Sequence, residues 1–204
     1  MENTSNTLLR RFFILIGRSG GGKDTQAKLL QTYLENKGYA KVQHITTGGG
    51  FREFVERDEY VAKLSHIANH TGGLQPEFLA VWNWANIFIN TLTGDETIIL
   101  DGAPRKPFEV HVLHSAIAFL GYTDPVVIYL DVPESVCKAQ LLGRGRDDDV
   151  NEETVNRRMG WFETEVLPTL NVYLSDPRYK VIHVNGHQSQ EEVHSELILK
   201  LESK

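Results

Sequence analysis

Residues 17–25 read Gly-Arg-Ser-Gly-Gly-Gly-Lys-Asp-Thr and follow directly on the apolar run Phe12–Ile16. Gly17, Gly22 and Lys23 satisfy the G-x-x-x-x-G-K spacing of a phosphate-gripping loop. Gly20, Gly21 and Gly22 remove side chains that would stop backbone N–H groups from turning inward on phosphate oxygens, and the positive end of a following helix adds to that field. Lys23 stands where an ammonium reaches terminal phosphates. A glycine-rich turn that merely contains a lysine is the competing reading. The apolar run before the loop and the helical pattern after it (Ala27, Leu30, Leu34, ending at Gly38) argue against it. The chemistry implied is nucleoside triphosphate binding. Thr97–Leu100 is a second apolar run, closed by the carboxylate of Asp101. Beside a phosphate loop, such an acid is suited to hold Mg²⁺ through its water shell.

These groups need a scaffold. Strand-like apolar runs fall at 12–16, 42–45, 97–100, 126–130 and 180–184, and helical patterns lie between them at 23–37, 50–70, 77–92, 108–120, 133–143, 152–175 and 189–201. Strands alternating with helices predict a parallel sheet covered on both faces. In 77–92, Phe78, Val81, Trp82, Ala85, Phe88, Ile89 and Leu92 read as one core-facing stripe. Pro168 is expected to kink or break the long 152–175 segment.

Composition narrows the class. The chain has 204 residues, enough for one domain with a substantial core, and shows neither repeats nor low-complexity linkers. A formal net charge of -6 gives no global electrostatic case for nucleic acid or an anionic membrane. Cys137 is the one cysteine, which excludes an internal disulfide and a multi-cysteine zinc site. Arg10-Arg11 precede too short an apolar run for a signal peptide, and no stretch has membrane-spanning length. A reducing cytoplasm is the expected compartment. The pairs His66/His70 and His111/His114 have helical spacing but no evident third ligand, and read as exposed helix positions.

Asp101-Gly102-Ala103-Pro104-Arg105 resembles the D-G-F-P-R signature of adenylate kinases and related short nucleoside monophosphate kinases. The loop through Gln26, Ile45–Arg52 against I-S-T-G-D-L-L-R, Gly73–Glu77 against G-x-L-V-P-D, and Arg144–Asp149 with Asn151–Thr154 and Arg158 extend the similarity in order along the chain. The resemblance implies an α/β P-loop three-layer fold with a five-stranded parallel sheet ordered 2-3-1-4-5. It also implies one domain over 1–204 carrying a small acceptor-binding flap at about 46–75 and a short lid at about 144–151. The implied reaction moves the γ-phosphoryl group of ATP to a nucleoside monophosphate, with Mg²⁺ as cofactor, in a monomer whose partners are small nucleotides. Two polyanions meet in line, so positioning and charge neutralisation dominate. Guanidinium groups suit that task because they stay charged and grip phosphate in a planar fork. By match, Lys23, Arg105, Arg144, Arg146 and Arg158 form the catalytic set. Ser19, Gly20, Gly21, Gly22, Lys23, Asp24, Thr25, Arg144 and Gln188 would bind ATP. Thr47, Arg52, Gln75, Gly102, Arg105 and Glu109 would bind the acceptor, and Asp101 with Thr25 the metal. Asp148 and Asp149 either orient the lid arginines or form a solvated acidic turn.

The departures from that pattern matter. Asp24 replaces a glycine, and Gln140 stands at an often basic position. The lid is short and lacks zinc-ligand cysteines. In the acceptor pocket Ala103 replaces an aromatic residue, Gln75 an aliphatic one and Glu109 a base-reading glutamine. Guanine offers two adjacent donors to a carboxylate, whereas adenine's donor–acceptor edge matches an amide. AMP is the acceptor expected, with GMP or a broadened range as the alternative. Two other classes stay open: a nucleotide-hydrolysing switch, against which stand the arginine set and the lack of an N-K-x-D motif, and a nucleotide-binding module without turnover.

Overall fold

The computed structural model describes residues 10–39, 41–70, 73–145 and 151–203. Five strands, β1 (Phe12–Gly17), β2 (Val42–Thr46), β3 (Thr97–Asp101), β4 (Val126–Asp131) and β5 (Lys180–Asn185), form one sheet in the order β2-β3-β1-β4-β5. Every pairing is parallel. Parallel neighbours need crossovers, and the intervening helices supply them. The order agrees with the resemblance.

The sheet is buried on both sides because β1 alternates between two cores. Phe12, Ile14 and Ile16 pack with Trp84, Phe88, Val110, Leu113, Leu170 and Tyr173. These come from α4 (Glu77–Thr91), α5 (Pro107–Phe119) and α8 (Leu167–Leu174). Phe13 and Leu15 face the other way, onto Ala27, Leu30 and Leu34 of α1 (Lys23–Asn36) and Val193 and Leu197 of α9 (Gln190–Glu202). Along the edge of this frame, α6 (Glu134–Gly143) and α7 (Glu152–Trp161) join through Cys137, Leu141, Val155 and Met159.

Three element expectations are corrected. The 50–70 segment is two helices, α2 (Thr47–Phe54) and α3 (Tyr60–His70), gathered with α4 by Phe54, Ala62 and Leu79. The 152–175 segment is α7, a π-helical turn (Phe162–Val166) and α8. Pro168 has no N–H and its ring crowds the carbonyl four residues back. The turn before it widens by one residue, and Thr169 Oγ1 fills part of the gap by donating to Glu165 O at 2.8 Å. In α4 the buried face is Leu79, Asn83, Trp84 and Phe88, while Phe78, Trp82 and Ile89 are exposed. That helix is apolar on nearly every side, so periodicity alone could not choose its inner face.

Candidate active site

β1 has β3 on one side and β4 on the other, so the chain leaves it in both directions and a crevice opens beyond the strand ends. A cleft of about 570 Å³ occupies this place. Its lining combines Ser19–Thr25 from the loop and first turn of α1, Thr47 and Arg52 from α2, Gln75, the Asp101–Ala103 corner, Arg105 and Glu109, and Gln140, Arg144 and Arg158. Most residues assigned by sequence therefore meet around one volume. Gln188 does not line it: its Nε2 donates to Asn185 O at 2.8 Å and to Glu196 Oε2 at 2.6 Å, beyond β5. Arg146, Asp148 and Asp149 lie outside the described residues.

The phosphate loop is shaped by backbone that only glycine adopts cheaply. Gly20 and Gly22 have φ of 79° and 74°. A Cβ on Gly20 would also stand 2.6 Å from Cys137 O, so this glycine seats the loop on α6 rather than clearing a phosphate path. Around Gly22 the space is open. Lys23 Nζ donates to Gly17 O at 2.9 Å and to Arg18 O at 2.8 Å. Its pKa is lowered, chiefly by burial, while the nearby Asp101 carboxylate draws it back up. Asp24 Oδ2 bonds Lys28 Nζ at 2.7 Å, which shows one way this unusual carboxylate is accommodated.

Asp101 ends β3 with its side chain only 9% exposed, and its Oδ1 has no hydrogen-bond partner among the described residues. A buried carboxylate left in that condition is chemically incomplete. Its donor chemistry and position fit the Mg²⁺ role assigned to it, with Thr25 on the same cleft.

At the Asp101–Ala103 corner, Gly102 (φ 88°) lets Thr47 approach: a Cβ there would lie 2.7 Å from Thr47 Oγ1. Arg105 is braced twice. Its Nε donates to Gly102 O at 2.9 Å, and its carbonyl lies 2.8 Å from Thr169 Oγ1, whose one proton it shares with Glu165 O. Glu109 is buried, and its Oε1 accepts from the N–H groups of Arg105 at 3.4 Å and Lys106 at 3.2 Å. Burial raises its pKa, against those N–H groups and the two cations. Gln75 Nε2 donates to Ser65 O at 3.0 Å and to Asn69 Oδ1 at 2.8 Å, tying this segment to α3.

Four participants were not singled out by sequence reasoning. Trp161 lines the cleft with the guanidinium carbons of Arg105 and Arg158 5.9 and 5.8 Å from its ring centre, so one indole ring lies within cation–π reach of both cations. Asn83 Nδ2 donates to Thr47 O at 2.8 Å, and Gly50 permits this because a Cβ there would meet Asn83 Oδ1 at 2.3 Å. His44 stands beside Asp101. Thr169 braces Arg105 from behind. Only Gly50, next to Gly48 and Gly49, carried a sequence signal, as a run too glycine-rich for an ordinary helix start.

The fold and this cleft define a P-loop phosphotransferase. A family model described as an AAA domain matches residues 16–156. Among curated proteins, Adenylate kinase 1 of Nostoc sp. is 33% identical over 184 residues, spanning 90% of this chain and 95% of that protein. Adenylate kinase 2 of the same organism is 32% identical over 197 residues, 92% and 96% of the two chains. The adenylate kinase of Bacteroides thetaiotaomicron is 28% identical over 176 residues, 85% and 88%. The chain belongs to the adenylate kinase family. Among the described residues no helix is long and apolar enough to cross a membrane.

Proposed function

We propose that this chain transfers the γ-phosphoryl group of ATP to AMP, giving two molecules of ADP. The observation that carries the reading is one cleft lined by Lys23 of the phosphate loop together with four arginines, Arg52, Arg105, Arg144 and Arg158. A hydrolysing switch needs one phosphate site and a placed water. Two polyanions held face to face need two sets of cations.

The loop amides and Lys23 grip the β- and γ-phosphates, and Lys23 exchanges its two loop carbonyls for phosphate oxygens as ATP enters. Arg52 and Arg105 hold the acceptor phosphate; the bracing of Arg105 by Gly102 O and Thr169 fixes its direction before substrate arrives. Arg158, set against Trp161, faces the charge that develops on the transferring group. Asp101 and Thr25 would hold Mg²⁺, which when bound neutralises charge between the phosphates. Glu109, with Oε1 on its own helix start, offers its second carboxylate oxygen to the acceptor base. That lone acceptor favours a second reading, GMP, whose edge presents only donors at this point.

The deciding experiment incubates ATP and Mg²⁺ with each nucleoside monophosphate in turn and separates the products. ADP formed in twofold excess over ATP consumed, with AMP as the best acceptor, is expected. ATP hydrolysis at a rate indifferent to every monophosphate would overturn the assignment, and GDP as the leading product would select the second reading.

A further inference from the structure

Asp24, His44 and Asp101 come from the first turn of α1, the middle of β2 and the end of β3, and one ligand atom of each lies within 4.8 Å of the other two. His44 Nε2 stands 3.9 Å from Asp101 Oδ2, too far for a hydrogen bond and close enough for both to reach one ion. The two side chains are 10% and 9% exposed. Neither His44 Nε2 nor Asp101 Oδ1 has a hydrogen-bond partner among the described residues. A carboxylate and an imidazole nitrogen buried beside each other in this way call for a cation. Asp24 is the third arm. It is about half exposed, and its bond to Lys28 is a surface i,i+4 pair that a metal easily outcompetes.

The donor set decides the class of ion. Mg²⁺ takes oxygen ligands in a strict octahedron and keeps most of its water, so an imidazole arm adds little for it. Two carboxylate oxygens and one imidazole nitrogen suit first-row divalent ions, for which imidazole is a good ligand. The sheet already sets the two buried arms: Thr46 pairs with Asp101, and His44 lies two residues earlier on the same side of β2. We propose that Asp24, His44 and Asp101 form a site that binds a first-row transition divalent cation (Mn²⁺, Co²⁺ or Zn²⁺) directly and without nucleotide. The site shares Asp101 with the Mg²⁺ position assigned above, but its occupation in the absence of nucleotide does not depend on the phosphoryl-transfer reading.

The test titrates the full chain, free of nucleotide, with Mn²⁺ while free Mn²⁺ is followed by electron paramagnetic resonance, and with Co²⁺ while its visible absorption is recorded. One cation per chain is expected, with a Co²⁺ spectrum that reports nitrogen ligation and no displacement by an equal concentration of Mg²⁺. His44→Gln and Asp24→Asn should each weaken Mn²⁺ by at least about tenfold. Lys28→Ala, which removes one partner of the Asp24 carboxylate and leaves all three ligands in place, should tighten it. Equal Mn²⁺ affinity in wild type and His44→Gln, or free exchange with Mg²⁺ at equal concentration, would overturn the proposal. Should His44→Gln fail to fold, the wild-type Co²⁺ spectrum decides: oxygen ligands only would overturn it equally.

Discussion

Two side chains carry most of the chemistry that single residues can decide. Lys23 is the ammonium of the phosphate loop, and its replacement by Met keeps length while removing charge. Turnover should fall by about 10³-fold with thermal unfolding little changed, because the bonds lost are two to loop carbonyls at the protein's own cleft. A steady-state assay beside a melting curve checks both halves. Glu109 is subtler. Burial lifts its pKa above the ordinary carboxylate value, so its neutral form persists to higher pH than an exposed glutamate's. With Oε1 held at the helix start, protonation turns the second oxygen into a donor, as a glutamine amide would supply, and matches the N1 acceptor of adenine; the carboxylate offers an acceptor there and matches guanine. The ratio of kcat/KM for AMP over GMP should therefore rise as pH is lowered. Glu109→Gln should fix the ratio on the AMP side, by about 1–3 kcal/mol relative to the carboxylate form, and abolish its pH dependence. A ratio flat with pH in the wild type would remove Glu109 from base reading.

At the scale of elements, the sheet and its order were legible because five apolar runs alternate with amphipathic segments, and each run begins where β1 to β5 begin. What escaped was whatever depends on partners distant in sequence. α4 is apolar on too many sides to disclose that Phe78 and Ile89 face outward. The break between α2 and α3 carries no proline and no strong turn signal within Val55–Glu59. Of the site, the loop announced itself by spacing and Asp101 by its place at a strand end beside that loop, and the arginines were assigned through the family resemblance, whereas His44, Asn83, Trp161 and Thr169 acquire meaning only once β2, α4, α7 and α8 converge. One turn invites a stability measurement. Glu96, ahead of β3, accepts from the Thr93 N–H at 2.9 Å, the Thr93 hydroxyl at 2.6 Å and the Gly94 N–H at 2.9 Å. Burial alone would raise its pKa; these donors outweigh it and bring it down to about 2. A depressed carboxylate contributes stability that is complete above its unfolded pKa near 4.5 and is lost as pH falls towards 2. Glu96→Gln should destabilise the protein by about 3 kcal/mol near neutral pH. The gap in unfolding free energy from the wild type should close between pH 4.5 and 2. A gap independent of pH would assign the loss to packing.

Across the whole molecule the proposed reading divides the cleft between two substrates. Arg52 belongs to α2 and Arg144 follows α6; on that reading the first serves the acceptor and the second the ATP side. Substituting each by Ala separates the two substrates kinetically. Arg52→Ala should raise the AMP KM at least about tenfold and leave the ATP KM nearly unchanged, since it removes one charge-assisted grip on one substrate. Arg144→Ala should chiefly lower kcat. Initial rates over a grid of both substrates give the four constants, and an Arg52→Ala variant altered only in its ATP constant would reverse the assignment of the flap.

The π-helical turn at Phe162–Val166 sets a rotational phase. It stores one residue more than an α-helical turn, and a residue of α-helix corresponds to about 100° of rotation. Arg158 and Trp161 lie upstream of it, and Thr169, which steadies Arg105, lies downstream. The segment thus works as a gear tooth between two helices, and its length matters more than its letters. Substitutions at the exposed Glu163 or Thr164 leave the phase intact. Adding a further residue there would exceed what one widened turn absorbs and would swing Arg158 and Trp161 about a quarter-turn relative to Thr169. A chain of this design can drift in sequence here while remaining closed to added length.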